Sequence, residues 1–510
     1  MSPRRRGRRQ SRREERRAAD PSRASRPARA PGSANPASRT RRLPALAVLL
    51  GLVVAGGIVD RRIERGSAQG ATEVSAQVPI AAPASARSSA WYCPGAPVTG
   101  ALGEASVVVA NAGDRRLTGT VTVFPDKGES RRAPIAVAPS SRAGVRLADV
   151  VSAAYGSALV ELDGGDAVAE IATVGALGDS VASCTSSASS SWYFAEGVTT
   201  RDASEVLLAL NPFPDDAVVD VVFSTEEGIV SPQALTGLLV RGQALTSINV
   251  GEFVQRREAV SVSLVARTGR LVVGRLQVFD GSSGRRGVSV GLGAASPGPV
   301  WYFPEGLVSE GQSERFLVYN PGRTEAQVEL ALALESGEAE PLRLTIPRES
   351  RLAVVSAEES RIPKGVPHAV TVRSLEGPDV VVERTIDGAS PSPRTGVSIT
   401  LGARLPATRW ATAAGAADDT TDLWVVVQNP GERTASVTLK VLGDGAAVQV
   451  GNVADVAVQP GQRRAFHVNA ALKRTTAPIL LTSTEPVVVE RDLYRLRAPG
   501  LGMSAAIPLR

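Results

Sequence analysis

The sequence predicts an all-β chain, with four tandem antiparallel β-sandwich repeats following a single transmembrane helix. Three observations predict this. One aromatic signature returns at a near-constant spacing. Short apolar runs parted by turn residues fill the intervals. A single uncharged apolar stretch follows an arginine-rich start.

The signature is Trp192-Tyr193-Phe194-Ala195-Glu196-Gly197, repeated as Trp301-Tyr302-Phe303-Pro304-Glu305-Gly306. Echoes stand at Trp91-Tyr92-Cys93-Pro94-Gly95 and Trp410-Ala411-Thr412-Ala413-Ala414-Gly415, so the tryptophans are 101, 109 and 109 residues apart. A fixed period marks a repeated unit. Other landmarks keep the register. Asn111, Asn211, Asn320 and Asn429 each close an apolar run, and a later run holds Gly274-Arg275, Glu383-Arg384 and Glu490-Arg491. The first copy has Glu170-Ile171 at that place and lacks the Arg. These landmarks bound the repeats at 89–188, 189–297, 298–406 and 407–510.

From the amino terminus, residues 1–42 carry 15 Arg against Glu14, Glu15 and Asp20, a net +12. The whole chain is +6, so residues 43–510 sum to 6 − 12 = −6. Without large apolar side chains the tail cannot offset its ordering entropy, which predicts a disordered cytoplasmic tail. Residues 43–59 carry no charge. At about 1.5 Å per residue they span about 25 Å, the short end for a bilayer core. Arginine before the span places the tail in the cytoplasm and the bulk outside the plasma membrane. The reading is an uncleaved single-pass anchor; the competing reading is a cleaved signal peptide with Ala55-Gly56-Gly57 as its weak site. Residues 60–88, rich in Ala, Ser, Gln and Pro after a short charged patch, read as a flexible linker. Arginine outnumbers lysine 53 to 4, a skew that resembles that of a GC-rich genome, so arginine count alone is poor evidence for nucleic-acid binding. No folded reader accompanies the basic tail, so nucleic acid is not an expected partner.

The second copy illustrates the strands. Val206–Leu210, Val218–Phe223, Leu245–Val250, Val260–Val265 and Leu271–Phe279 are short and rich in Val and Leu. In Val260-Ser261-Val262-Ser263-Leu264 the apolar residues alternate, as a half-buried strand requires. Seven or eight such strands in about 105 residues fit an immunoglobulin-like sandwich. Asn-Pro ends a strand and reverses the chain, because Pro presets φ and Asn bonds its own backbone ahead. Trp, Tyr and Phe in succession send Trp and Phe to one face and Tyr to the other. That predicts a seal against the preceding unit; the alternative is an exposed platform for sugar rings.

Glu196 and Glu305 invite a hydrolase reading, but no second carboxylate recurs to complete a pair. The structural alternative pairs each with the Arg of its own repeat, Arg275 or Arg384; the fourth copy keeps Arg491 without the Glu. Cys93 and Cys184 open and close the first repeat and predict a disulfide between its first and last strands. Two distant Cys, with His368 and His467 in separate repeats, do not make a metal site. The histidines read as ordinary strand residues. No phosphate loop, nucleophile elbow or zinc-protease motif occurs, and no cofactor is expected.

The Trp-Tyr-Phe-Ala-Glu-Gly opening, the Leu-Ala-Leu-Asn-Pro run, the Val-x-Arg strand and the Gly-Val-Ser closing resemble DUF5719, uncharacterised extracytoplasmic repeat proteins of actinobacteria. The likeness covers roughly residues 89–510 and is clearest in copies two and three. Copy one departs at Cys93-Pro94 and copy four after Trp410. The resemblance implies membrane-anchored or secreted β-domains and supplies no activity or catalytic residue. The expectation is a non-enzymatic scaffold or binding protein of the cell envelope, with an envelope protein or polysaccharide as partner. Glycan recognition in surface-polysaccharide or cell-wall assembly is the alternative, and a signalling receptor with a cytoplasmic tail is the next. Accessible Trp192 and Trp301 rings would favour glycan binding; buried rings favour scaffolding.

Overall fold

Each copy begins with a short strand that carries its tryptophan: Ser89–Pro97, Ser191–Phe194, Val300–Phe303 and Ala407–Ala411. The computed structural model describes residues 78–335, 339–443 and 445–510. The expected tail at 1–42, the anchor at 43–59 and most of the linker at 60–88 lie outside them. Among the described residues no helix is long and apolar enough to cross a membrane.

The described chain is all-β, with antiparallel pairing throughout its sheets. Copies one to three each build two sheets. In copy two, one sheet runs Ala244–Asn249, Ala203–Asn211, Val272–Asp280, Arg286–Leu292. The facing sheet runs Gly228–Val230, Ala217–Thr225, Val260–Thr268 and the opening strand. Copies one and three repeat the first order, ending on Ser180–Ser183 and Gly396–Leu401. Copy four differs. Its 17-residue strand Ile479–Arg495 pairs with the opening strand through its first half and with Thr421–Gln428 and Leu501–Ala505 through its second, so both sheets join.

The four asparagines act as the turn chemistry requires. Each Oδ1 accepts the amide two residues on, from Gly113, Phe213, Gly322 and Gly431 at 2.9–3.1 Å. Each Nδ2 donates to the carbonyl four residues on and to a neighbouring strand end, as Asn320 does to Thr324 at 2.8 Å and Ile346 at 3.1 Å. One side chain thus replaces three backbone contacts that the reversal would leave unmade.

The copies close on one another. Serine hydroxyls stitch the last strands of copies one and two, two and three, and four and one, and Gly500 N donates to Thr395 O between copies four and three. Ser180 accepts from Val290 N at 2.9 Å, and Ser289 accepts from Ile399 N at 3.0 Å. Ser183 donates to Ala505 O at 3.3 Å, which brings copy four back to copy one. The segment from Val78 joins this seam: Ala81 N donates to Pro508 O and Asp166 N to Ala82 O, each at 2.9 Å. Copies one and two share a continuous apolar core that also takes in Ala411, Ala413, Leu442, Ile507 and Leu509 of copy four, while most of copies three and four pack around further cores.

The predicted disulfide is present. Cys93 on the opening strand bonds Cys184, the residue after Ser180–Ser183, across 91 positions.

Candidate functional site at the joints between copies

The signature residues lie where one copy meets the next. Trp91, Trp192, Trp301 and Trp410 are buried, and the indoles of Trp192 and Trp301 donate to Leu271 O and Val380 O of their own copies at 3.0 and 2.8 Å. Phe194 and Phe303 are buried on the same face, as the alternation predicts. The seal, however, is against the following copy. Tyr193 and Ala195 pack on the core of copy three, and Tyr302 packs on that of copy four. The turn after the strand carries the chain forward, so the tyrosine face meets the next unit.

The ionic pairing also runs forward, which corrects the expected pairing within a repeat. Arg275 donates through Nη1 and Nη2 to the Glu383 carboxylate of copy three, both at 2.9 Å. Its contact with Glu196 is to the backbone carbonyl. The Glu383 carboxylate also accepts the amides of Ala195 and Glu196 at 2.8 and 2.7 Å. The Glu196 side chain reaches Arg351 of copy three at 2.5 Å. Two acids and two arginines from two copies therefore form one buried cluster. Burial pushes the Arg275 guanidinium towards losing its charge, but the Glu383 carboxylate beside it overrides this and holds it protonated.

Copies three and four repeat the arrangement. Arg384 pairs with Glu490 and bonds the Glu305 carbonyl, while the Glu305 side chain pairs with Arg463. At the closing seam Arg491 takes Glu170 of copy one at 3.2 Å, and the Ala413 and Ala414 amides donate to the same carboxylate at 2.8 and 2.6 Å. Ala414 stands where copies two and three have Glu196 and Glu305, and Arg142 donates instead to Gly415 O at 3.2 Å.

The joint between copies one and two has none of these charges. Ile171 replaces the arginine and Gly274 the receiving glutamate, as the shared strand register shows. Leu245 stands where copies one, three and four have Arg142, Arg351 and Arg463. Pro94 and Gly95 fill the space: a Cβ on Gly274 would lie 2.6 Å from Pro94 Cβ, and one on Gly95 would lie 2.5 Å from Leu208 Cβ.

The sequence reading missed Arg142, Arg351 and Arg463. Their signal was a recurring position on the strand beside each asparagine run. It also missed the acids behind the signature glycines. A Cβ on Gly197 would come 2.4 Å from Glu205 Oε2, and one on Gly306 would come 2.6 Å from His368 Nε2. Glu314 and His368 pair at 2.8 Å, and Ser356 donates to the same carboxylate at 2.9 Å. Burial raises the Glu314 carboxyl, but His368 outweighs it and holds the group below the usual range. Glu205 has Val260 in place of that histidine. Both its oxygens are buried without a hydrogen-bond partner among the described residues, and burial pushes its carboxyl up to about 8.

His467 pairs with Asp422 at 2.5 Å and stacks on Trp424. Among the described residues no group of three or more His, Cys, Asp or Glu could hold a metal.

The match to known families falls on this machinery. Residues 166–356 match DUF5719, a family of unknown function. The DUF5719 stretch runs from the glutamate strand of copy one through Arg351, and so holds Glu196, Arg275 and both full aromatic signatures. A search of curated proteins gives no significant match. Among solved structures, Thermotoga maritima 1070 is 18% identical and covers 21% of this chain and 96% of that one, with a TM-score of 0.20. The Anabaena sensory rhodopsin transducer is 24% identical, covers 17% and 94%, and has a TM-score of 0.16. A Streptomyces avermitilis α-L-rhamnosidase complexed with L-rhamnose is 11% identical, covers 78% and 55%, and has a TM-score of 0.12. At these TM-scores none of the three carries an argument about this chain.

Proposed function

We propose that the chain is a non-enzymatic scaffold or binding protein of the cell envelope, anchored by residues 43–59 with its four β-sandwich units outside the membrane. The observation that carries this reading is the fate of the signature. Its aromatic rings are buried and its carboxylates are bound to arginines of the next copy. A hydrolase would need Glu196 or Glu305 free beside a second acid; both are instead taken up in holding copies together. Buried Trp192 and Trp301 likewise favour scaffolding over glycan recognition through those rings. The Cys93–Cys184 bond suits an oxidising compartment.

Two measurements test the reading. Alkaline phosphatase fused after residue 80 should be active and β-galactosidase at the same point inactive. Thiol labelling of freshly lysed cells should find Cys93 and Cys184 blocked. Reversed reporter activities together with two free thiols would sink it. The partner is sought by capturing envelope proteins and polysaccharides on the purified chain.

A further inference from the structure

A cavity of about 120 Å³ lies where the last strands of the four copies meet. Buried Val181, Val290, Ile399 and Met503, one from each copy, line it, with half-buried Leu292 and Leu401. A volume near this size, lined by apolar groups, accepts a benzene-sized molecule.

One charged side chain lines this cavity, Arg404. Its seat is built. The guanidinium lies 4.6 Å from the centre of the Trp301 ring, and Nη1 donates to Ser296 O at 3.2 Å and Pro297 O at 3.4 Å. Gly298 makes the room, since a Cβ there would fall 2.0 Å from Arg404 Cζ. Yet among the described residues no carboxylate bonds it, and its Nε and Nη2 are neither paired nor sealed from solvent. The buried arginines of the joints each meet a glutamate. A guanidinium has five donors in a planar fork that fits a carboxylate. Burial pushes Arg404 towards losing its charge and outweighs the opposing pull of the Asp379 carboxylate, which does not bond it; an anion seated on the guanidinium would relieve the remaining cost.

We propose that this cavity binds a small aliphatic carboxylate, with its chain among the apolar walls and its head on Arg404. The proposal stands whether or not the chain is held at a membrane. Trp192, Trp301 and Trp410 line the cavity, so binding is read from tryptophan fluorescence as well as heat. The probes are hexanoate, hexanol and hexylamine, titrated into the full chain. Hexanoate should saturate, with hexanol about tenfold weaker, and hexylamine should not bind. Arg404→Gln should bring hexanoate down to the level of hexanol. Gly291→Leu should abolish both, because a Cβ there meets only Ile399 O, at 3.8 Å, and the longer side chain enters the cavity. No saturable signal with hexanoate overturns the proposal, as does Arg404→Gln with unchanged hexanoate affinity. Should Gly291→Leu fail to fold, the ratio of hexanoate to hexanol in the unaltered chain and in Arg404→Gln decides.

Discussion

The joint between copies one and two and the joint between copies two and three use the same backbone positions for opposite chemistry. In the second, Arg275, Glu383, Glu196 and Arg351 form a buried cluster in which every charge has a partner in the other copy. In the first, Ile171, Gly274, Gly95 and Leu245 occupy those four places and the apolar core runs through. A buried charge is costly unless paired, and at this joint both pairs are lost together. The closing seam is intermediate. It keeps Arg491 with Glu170, but Ala414 has replaced the second acid and Arg142 falls back on a backbone carbonyl. The difference teaches that the unit of change is the joint. Seen within one repeat, Ile171 and Gly274 look like unrelated losses; across the joint they are one.

The largest effect is expected at the ionic joint. Glu383→Ala strands Arg275 without a partner and should cost about 3–5 kcal/mol in chemical denaturation. Arg275→Ile with Glu383→Gly copies the first joint and should cost less than either single change. A double variant as unstable as the sum of the singles would break the comparison.

At the apolar joint the disulfide is the counterpart. Cys93→Ser with Cys184→Ser reopens a loop of 91 residues, worth roughly 4–5 kcal/mol in the chain-entropy model. The loss should appear as a lower thermal midpoint that a reducing agent reproduces in the unaltered chain.

Copies two and three differ next in their acids behind the glycine. The Glu205 carboxyl is raised to about 8 in the fold from an ordinary value of 4.5. Between these values the unfolded chain gives up its proton while the fold keeps it. Stability should therefore fall as pH rises from about 4.5 to about 8, by an amount of order a few kcal/mol. Glu205→Gln should flatten that slope in urea titrations between pH 5 and 9. Glu314 has the opposite sign: its lowered carboxyl contributes stability above the unfolded value that is lost as pH falls. An unchanged slope in Glu205→Gln would show that another group carries it.

The smallest effect belongs to the closing seam. Arg142→Ala removes one hydrogen bond to Gly415 O and should cost about 1–2 kcal/mol. A loss as large as that of Glu383→Ala would place the seam with the full ionic joints.

Much of this was legible in the chain. Asn111, Asn211, Asn320 and Asn429 announced their turns because the contacts of a turn lie within a few residues. Alternation placed Trp192 and Phe194 on one buried face, since side-chain direction along a strand follows the backbone. The pairing of Glu196 was misread. Its partner Arg351 lies 155 positions on, and nothing in one repeat says whether an acid turns inward or towards its neighbour.

The amino-acid sequence by itself determined the repeated unit, its strands and turns, and the two cysteines, because these rest on local periodicity and a spacing within one copy. Tertiary structure alone decided that the copies close on themselves and that Arg275 reaches forward to Glu383. It alone also decided that Arg404 lines an apolar cavity with no carboxylate bonded to it among the described residues. Those outcomes depend on which surfaces meet, and burial assigns each charge a partner only after they have met.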